Sequence, residues 1–366
     1  MSSFMPMPES ASARATLREI AEKAGVTRMA VSLALRGKAG VSNTTRKKIL
    51  RLAEQLGYRP DPEVSKLLAR IRSRAPAEIG SCLALLTSGS SPGDWKRLVT
   101  ERKYVEGATE RAGEYGYRLE EFWLNESGMT RDRLASIIWN RGIEGVIIAP
   151  LQGKLSGRGA RDLDFDLERF AAVEISETFE TPDLDRSIHD QYTSMQRCLH
   201  ELCAIGYRRI GFVVEDSLDL RVNGKWTAAF LEHRNRHGEG DLVPPLILPG
   251  PRQSPFDRWF ERYQPEVVVS VDGFGLALLK ARGCRIPRDV GYASLDLDGE
   301  DSPRFELSGI DQNSRQVGAA AVDMLVAAIQ RGQRGVPEHP VRLEVEGTWR
   351  EGGSTRNRRG KKAGGR

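Results

Sequence analysis

Residues Thr16 to Gly37, TLREIAEKAGVTRMAVSLALRG, hold two helical patterns separated by one glycine, and neither is long enough to bury a core of its own. Isolated helices of this length are marginal in water, so the pattern requires partners close in sequence. Thr16 with Glu19 three residues on forms a capping box that starts a helix near Leu17. Leu17, Ile20, Ala21 and Ala24 then share one face, and Gly25 supplies the left-handed turn that ends it. Thr27 caps a second helix with Ala30, Val31, Ala34 and Leu35 facing inward. After the polar loop RGKAG, Ser42 caps a third, with Ile49, Leu52, Ala53 and Leu56 on one side and Gly57 closing it. Three short stripes of this kind bury one another as a helix-turn-helix bundle.

Charge separates this head from the rest. The net charge is +5, but residues 14–60 carry +8, residues 356–366 (RNRRGKKAGGR) +6, and residues 61–355 a compensating −8. A basic head on an acidic body points to a polyanionic partner for the head. The tail reads as a disordered basic segment over 356–366, and residues 1–13 read as disordered too. On the second helix Arg28, Met29, Ser32, Leu33 and Arg36 point away from the small core. The first turn of such a helix fits the DNA major groove, with free backbone N–H groups for a phosphate.

At this point the residues resemble a known family. TLREIAEKAGVTRMAVSLALRGKAGVSNTTRKKILRLAEQLGYRPD is similar to the N-terminal domain of the lactose-repressor (LacI/GalR) family of bacterial transcriptional regulators. The V-S-N-T-T-R opening of helix three and the L-G-Y-R-P exit fall in register, and the resemblance runs to about Glu351. It implies a homodimer on a pseudo-palindromic double-stranded operator, with a body that senses a small effector. It assigns base reading to Arg28, Met29 and Leu33. Leu17, Thr27, Ser32, Arg36, Ser42 and Thr45 are assigned to the DNA backbone, where contacts set register rather than sequence. Leu33 departs from the arginine of well-known members; a leucine cannot donate to guanine but can touch a thymine methyl. Residues 61–75 occupy the family's hinge position, where Leu67 matches the leucine wedged into the minor groove. Val64 and Ser65 depart from the commoner hinge residues, and a plain linker is the alternative reading.

From Ile79 the text alternates between β-rich apolar runs (CLALLTS, LEEFWL, VIIAP, RIGFVVE, EVVVSVD, VGYASLD) and helical stretches. Such alternation means parallel sheets covered by helices on both faces. The expected architecture is an all-α helix-turn-helix head (14–60), the hinge, and an α/β body (76–355) of two Rossmann-like subdomains, as in periplasmic binding proteins. The first subdomain is expected at about 79–206 and 307–330, the second at about 207–306 and 331–350. The chain would then cross between halves near Gly206, Arg304–Leu307 and Gln330, with ligands at the carboxyl ends of the strands.

The resemblance implies effector contacts at Arg221, Asp296 and Gln312, with Asp272 beside them. An arginine fork and a carboxylate each hold two hydroxyls, which suits a sugar or sugar derivative. Val271 stands where the family has asparagine before Asp272, so a structural role for Asp272 and a constitutive regulator without effector both stay open. Trp95 and Trp226 read either as sugar-stacking rings or as packing.

Catalytic motifs are absent from the sequence, and no Cys or His spacing suggests a metal, so no enzyme, cofactor or metal is expected. His233 and His237 lie in HRNRH, read as a solvated face, and the four cysteines read as buried or inert thiols. No apolar run reaches membrane-spanning length and the first residues lack an export pattern. The expectation is a cytoplasmic DNA-binding regulator, more often repressor than activator; a sugar-binding transport module is the rival.

Overall fold

The computed structural model describes residues 17–27, 30, 31, 34, 40–56, 81–151, 162–237, 243–299 and 307–358, and divides into two compact units, residues 1–78 and essentially the remainder. In the first unit, α1 (Leu17–Ala24) and α2 (Asn43–Gln55) flank a second helical segment marked by Ala30, Val31 and Ala34. Ile20, Ala21, Ala24, Val31, Ala34, Ile49 and Ala53 form its core, with Leu52 and Leu56 packed against it. The caps are those the sequence dictates. Ser42 Oγ accepts the Thr45 N–H at 3.2 Å, Thr27 Oγ1 accepts the Ala30 N–H at 3.2 Å, and Gly25 adopts φ +71°. Lys48 Nζ donates to the Ala24 carbonyl at 2.9 Å, satisfying an orphan acceptor at the end of α1.

The second unit holds two six-stranded sheets built alike. In chain order its strands are β1 (Cys82–Thr87), β2 (Arg118–Trp123), β3 (Gly145–Ile148), β4 (Ala171–Ile175), β5 (Asp185–His189), β6 (Ile210–Glu215), β7 (Leu246–Leu248), β8 (Val267–Ser270), β9 (Gly291–Ser294), β10 (Ser308–Asp311), β11 (Arg342–Val345) and β12 (Thr348–Arg350). The first sheet runs β11-β5-β4-β3-β1-β2, wholly parallel. The second runs β12-β10-β9-β8-β6-β7, parallel except for the β10–β12 pair. Alternation along β1 sends Leu83 and Leu85 to one face and Ala84 and Leu86 to the other. The first face is covered by α3 (Val99–Glu114) and α10 (Ser314–Arg331), the second by α4 (Arg131–Asn140). In the second sheet, α5 (Gln191–Ala204) and α7 (Lys225–His237) cover one face, α8 (Gln253–Tyr263) and α9 (Phe274–Ala281) the other. The short α6 (Asp216–Arg221) follows β6 directly.

Two close approaches fix α3 against α10. A Cβ on Gly107 would lie 1.9 Å from the Arg315 carbonyl oxygen, and one on Gly318 would lie 1.8 Å from that of Tyr104. Only a hydrogen fits at either position. Within the first lobe a buried pair locks the ends of β4 and β5: Arg186 Nε donates to Glu174 Oε2 at 2.6 Å, while the other guanidinium nitrogens reach Asp183 and the Phe179 carbonyl. Burial pushes the Glu174 carboxyl up to about 7, opposed by Arg186.

The three crossings between lobes differ from those expected. They fall between β5 and α5 (His189 to Gln191), between β10 and α10 (Asp311 to Ser314), and between β11 and β12 (Val345 to Thr348). The expected boundaries at Gly206, 307 and 330 are therefore corrected. Helix α5 buries Met195, Cys198, Leu199 and Leu202 in the second core, so it belongs to the second lobe. Strand β10 belongs to the second sheet and α10 to the first lobe, and of residues 331–350 only β12 lies in the second sheet. The tail is corrected at its start: the Arg356 N–H donates to Tyr207 Oη, the Arg358 N–H donates to the Ile205 carbonyl, and Arg358 pairs with Glu266 at 3.0 Å. His233 is buried against Gln196 rather than solvated, and Cys203 is exposed among the free thiols.

Candidate functional site

The carboxyl ends of both sheets converge on one cleft within the body. From the second lobe, Arg221 ends α6 just past β6, Asp272 follows β8, Asp296 follows β9 and Gln312 follows β10. Three of the four effector candidates thus lie at strand ends, as a doubly wound sheet requires, and Arg221 lies one short helix beyond. From the first lobe, Glu177 follows β4, while Thr100, Glu101 and Lys103 stand on the first turns of α3.

These two sets meet. Thr100 Oγ1 donates to Asp296 Oδ2 at 2.7 Å. Lys103 pairs with Asp298, which also accepts from Ser314 Oγ at 3.3 Å. Arg221 Nη2 lies 3.7 Å from Glu101 Oε1, an ion pair beyond hydrogen-bond range. Glu177 receives Asn223 Nδ2 at 2.9 Å and Lys225 Nζ at 2.6 Å; Asn223 takes φ +56°, a conformation asparagine tolerates. Gln312 donates from Nε2 to the Leu295 carbonyl at 2.9 Å, tying β10 to the segment that carries Asp296.

Asp296 is 5% exposed. Burial pushes its carboxyl up to about 6, and the Asp298 carboxylate adds to the rise against hydrogen bonds from Thr100 and the Asp298 amide. Asp272 is exposed at φ +51°, and its Oδ1 would lie 2.2 Å from a Cβ on Gly299. The carboxylates of Asp272 and Asp296 thus flank one stretch of backbone at Gly299.

The tryptophans take packing places. Trp226 is buried in the second core and donates to Gln191 Oε1 at 2.8 Å; Trp95 donates to Glu121 Oε1 at 2.8 Å. Glu121 also accepts from Thr87 Oγ1 and the Gly93 N–H, so it organises the β1–α3 connection. At the pivot, His189 Nε2 lies 2.8 Å from Ser194 Oγ, and a Cβ on Gly347 would lie 3.0 Å from its ring. Burial holds the imidazole at about 4, hence neutral. Sequence reasoning missed Thr100, Glu101, Lys103, Glu177 and His189, which stand in no motif that spacing or composition marks.

In the head, Thr27 and Ser42 are exposed and Thr45 is half-buried, with Ser42 Oγ and Thr45 Oγ1 2.8 Å apart. Leu17 opens α1. Arg28, Met29, Ser32, Leu33, Arg36 and Leu67 lie outside the described residues, as do the other hinge positions. Among the described residues no group of three or more His, Cys, Asp or Glu is placed to hold a metal, and no helix is long and apolar enough to cross a membrane.

A helix-turn-helix unit joined to a two-lobed binding-protein body defines a ligand-responsive regulator class, and comparison with known proteins gives the family. The profile described as "Bacterial regulatory proteins, lacI family" matches residues 16–61, and that of a "Periplasmic binding protein-like domain" matches residues 199–355. The HTH-type transcriptional regulator KdgR of Bacillus subtilis is 22% identical over 357 residues, covering 93% of this chain and 98% of that relative. The solved complex of the transcriptional regulator CelR with cellobiose aligns with a TM-score of 0.52 at 20% identity, over 93% of this chain and all of that one. The lac repressor dimer bound to operator and the anti-inducer ONPF aligns at 0.51 and 16%, over 94% of this chain and all of that one. The chain belongs to the lacI family of bacterial regulatory proteins and is a helix-turn-helix transcriptional regulator, not an enzyme.

Proposed function

We propose that the chain is a cytoplasmic, homodimeric repressor of transcription that grips a pseudo-palindromic operator and changes its grip when a sugar or sugar derivative enters the interlobe cleft. The carrying observation is that Arg221 and Asp296, from one lobe, meet Glu101 and Thr100 of the other at 3.7 and 2.7 Å. A ligand at these residues touches both lobes at once and so has differential affinity for their arrangements, which is the condition for shifting a conformational equilibrium. Gln312 and Asp272 complete the polar rim. The reading is supported by the CelR relative carrying cellobiose and by the lac repressor dimer carrying operator.

In this proposal Arg28, Met29 and Leu33 read base edges. Leu17, Thr27, Ser32, Arg36, Ser42 and Thr45 hold the phosphate backbone, and Leu67 enters the minor groove. The domains serve as head (14–60), hinge (61–75) and sensor body. Operators selected from random DNA by the full-length protein should be two-fold symmetric. Arg28→Ala should cost ~1–3 kcal/mol of specific binding and relax one position in each half-site. An unchanged sequence preference in Arg28→Ala removes that residue from base reading. Operator affinity indifferent to every small molecule of a cell extract replaces effector control with constitutive regulation.

A further inference from the structure

The cleft is closed by the chain's own side chains, and their chemistry describes what can replace them. Asp296 holds a hydroxyl, that of Thr100. Arg221 faces a carboxylate, that of Glu101. We infer that the Thr100–Glu101 turn of α3 is an internal ligand of the effector site, and that the effector is a polyhydroxy carboxylate, an aldonic or uronic acid, whose hydroxyl and carboxylate take over at Asp296 and Arg221. This rests on the reading of the chain as an effector-controlled regulator and narrows its ligand class.

Three observations carry it. First, the Arg221–Glu101 pair is loose at 3.7 Å, and Arg221 keeps 26% of its side-chain surface open. A guanidinium fork is best met by two parallel N–H···O bonds at about 2.8 Å, so a free carboxylate gains at Arg221 what Glu101, tethered to its helix, does not reach. Second, the neighbouring cations are already matched: Lys103 with Asp298, and Lys225 with Glu177. Arg221 is thus the cleft cation whose partner can be exchanged at least cost. A neutral sugar displacing Glu101 would leave the guanidinium facing uncharged acceptors, whereas a carboxylate preserves its pairing. Third, Asp296 is 5% exposed and accepts a hydroxyl rather than an ammonium, which selects a ligand hydroxyl at that end.

The test is calorimetry of the full-length protein with D-gluconate, D-galacturonate, D-glucose, D-galactose and D-glucosamine, repeated on Glu101→Gln and Thr100→Val. At least one acid should bind, with its neutral counterpart at least ~30-fold weaker, because the charged partner at Arg221 is missing. Glu101→Gln, which removes the competing charge without changing shape, should tighten acid binding about tenfold by freeing the competent state. Thr100→Val should tighten it in the same direction, and an unchanged circular-dichroism spectrum with a cooperative thermal transition reports that both variants are folded. Neutral sugars or glucosamine binding as tightly as the acids, or Glu101→Gln leaving acid affinity unchanged or weaker, overturns the internal ligand while effector control stands. Binding of none of the five also overturns it. Effector control falls only if the small-molecule fraction of a cell extract leaves operator affinity unmoved as well.

Discussion

Asp296 sits where pH and stability meet. Facing it are Thr100 and Tyr104 from α3, Asp298 two residues on, and Asp272 across Gly299. Its carboxyl stands at about 6 in the closed cleft, raised by burial and by Asp298 from an ordinary 3.8. A raised carboxyl means that the folded protein binds a proton there more tightly than the unfolded chain. Its contribution to stability is fully present below about pH 4 and is lost as pH rises through 6. Asp296→Asn, which mimics the protonated form, should therefore raise the unfolding midpoint more at pH 7 than at pH 5. An equal shift at both pH values would mean that the carboxyl is not raised. Arg186 makes a different wager. Its side chain and that of Glu174 are 3% and 0% exposed, so Arg186→Met strands a buried carboxyl at a cost of about 3–5 kcal/mol. Denaturant unfolding of the variant measures it, and a loss under 1 kcal/mol would mean that water reaches Glu174.

Helix α3 is the element on which the cleft depends, because it carries Thr100, Glu101 and Lys103 and is pressed against α10 at Gly107 and Gly318. Helix α10 begins just past the crossing at Asp311–Ser314, so the helix that closes the cleft leans on one that starts at the pivot. Gly318→Ala should destabilise by ~1–3 kcal/mol or more, since the added methyl meets backbone rather than a movable side chain. Gly113→Ala in the same α3, where a Cβ meets nothing within 4 Å, should be neutral or stabilise by ~0.5–1 kcal/mol. Thermal unfolding of the pair compares them directly; equal effects would show that the crossing is not tight. The strands CLALLT, IGFVVE and VVVS were legible as runs because both their faces are buried. DRSIH was not: it forms β5 with buried Arg186, Ser187 and His189, polar residues that break any apolar run, and Ser187 bonds the carbonyl of Val317 from far along the chain. The crossing placed at Gly206 failed for a related reason. Periodicity reports that one face of α5 is buried but not which core receives it. Arg221 and Asp296 were legible by resemblance, whereas Glu101 acquires meaning only when Arg221 is brought beside it from a position 120 residues away in sequence.

At the scale of the whole molecule, the cleft and the DNA-binding head are expected to be coupled by the energy of lobe rearrangement. A coupling of ~1–3 kcal/mol changes operator affinity ~5–150-fold. Arg221→Ala and Asp296→Ala should retain operator binding and lose that response, and Leu67→Ala should lose operator affinity with effector binding intact. Gel-shift titrations with and without effector separate the two classes; a full response in Arg221→Ala would move the sensor elsewhere.

The short span from β11 to β12 has a bearing on how the protein is made. Only Glu346 and Gly347 separate strands that complete opposite sheets, and α10, which supplies Val317, Ala321, Val322 and Leu325 to the first core, arrives only shortly before them. During synthesis, at roughly 5–20 residues per second, the ribosome delivers most of the first lobe long before the helix that shields one face of its sheet. The part of that face that α3 does not cover waits for roughly 6–25 seconds per chain at these rates. Both lobes then finish almost together, as the last strands emerge. Neither lobe therefore has all its strands before the other has all but emerged.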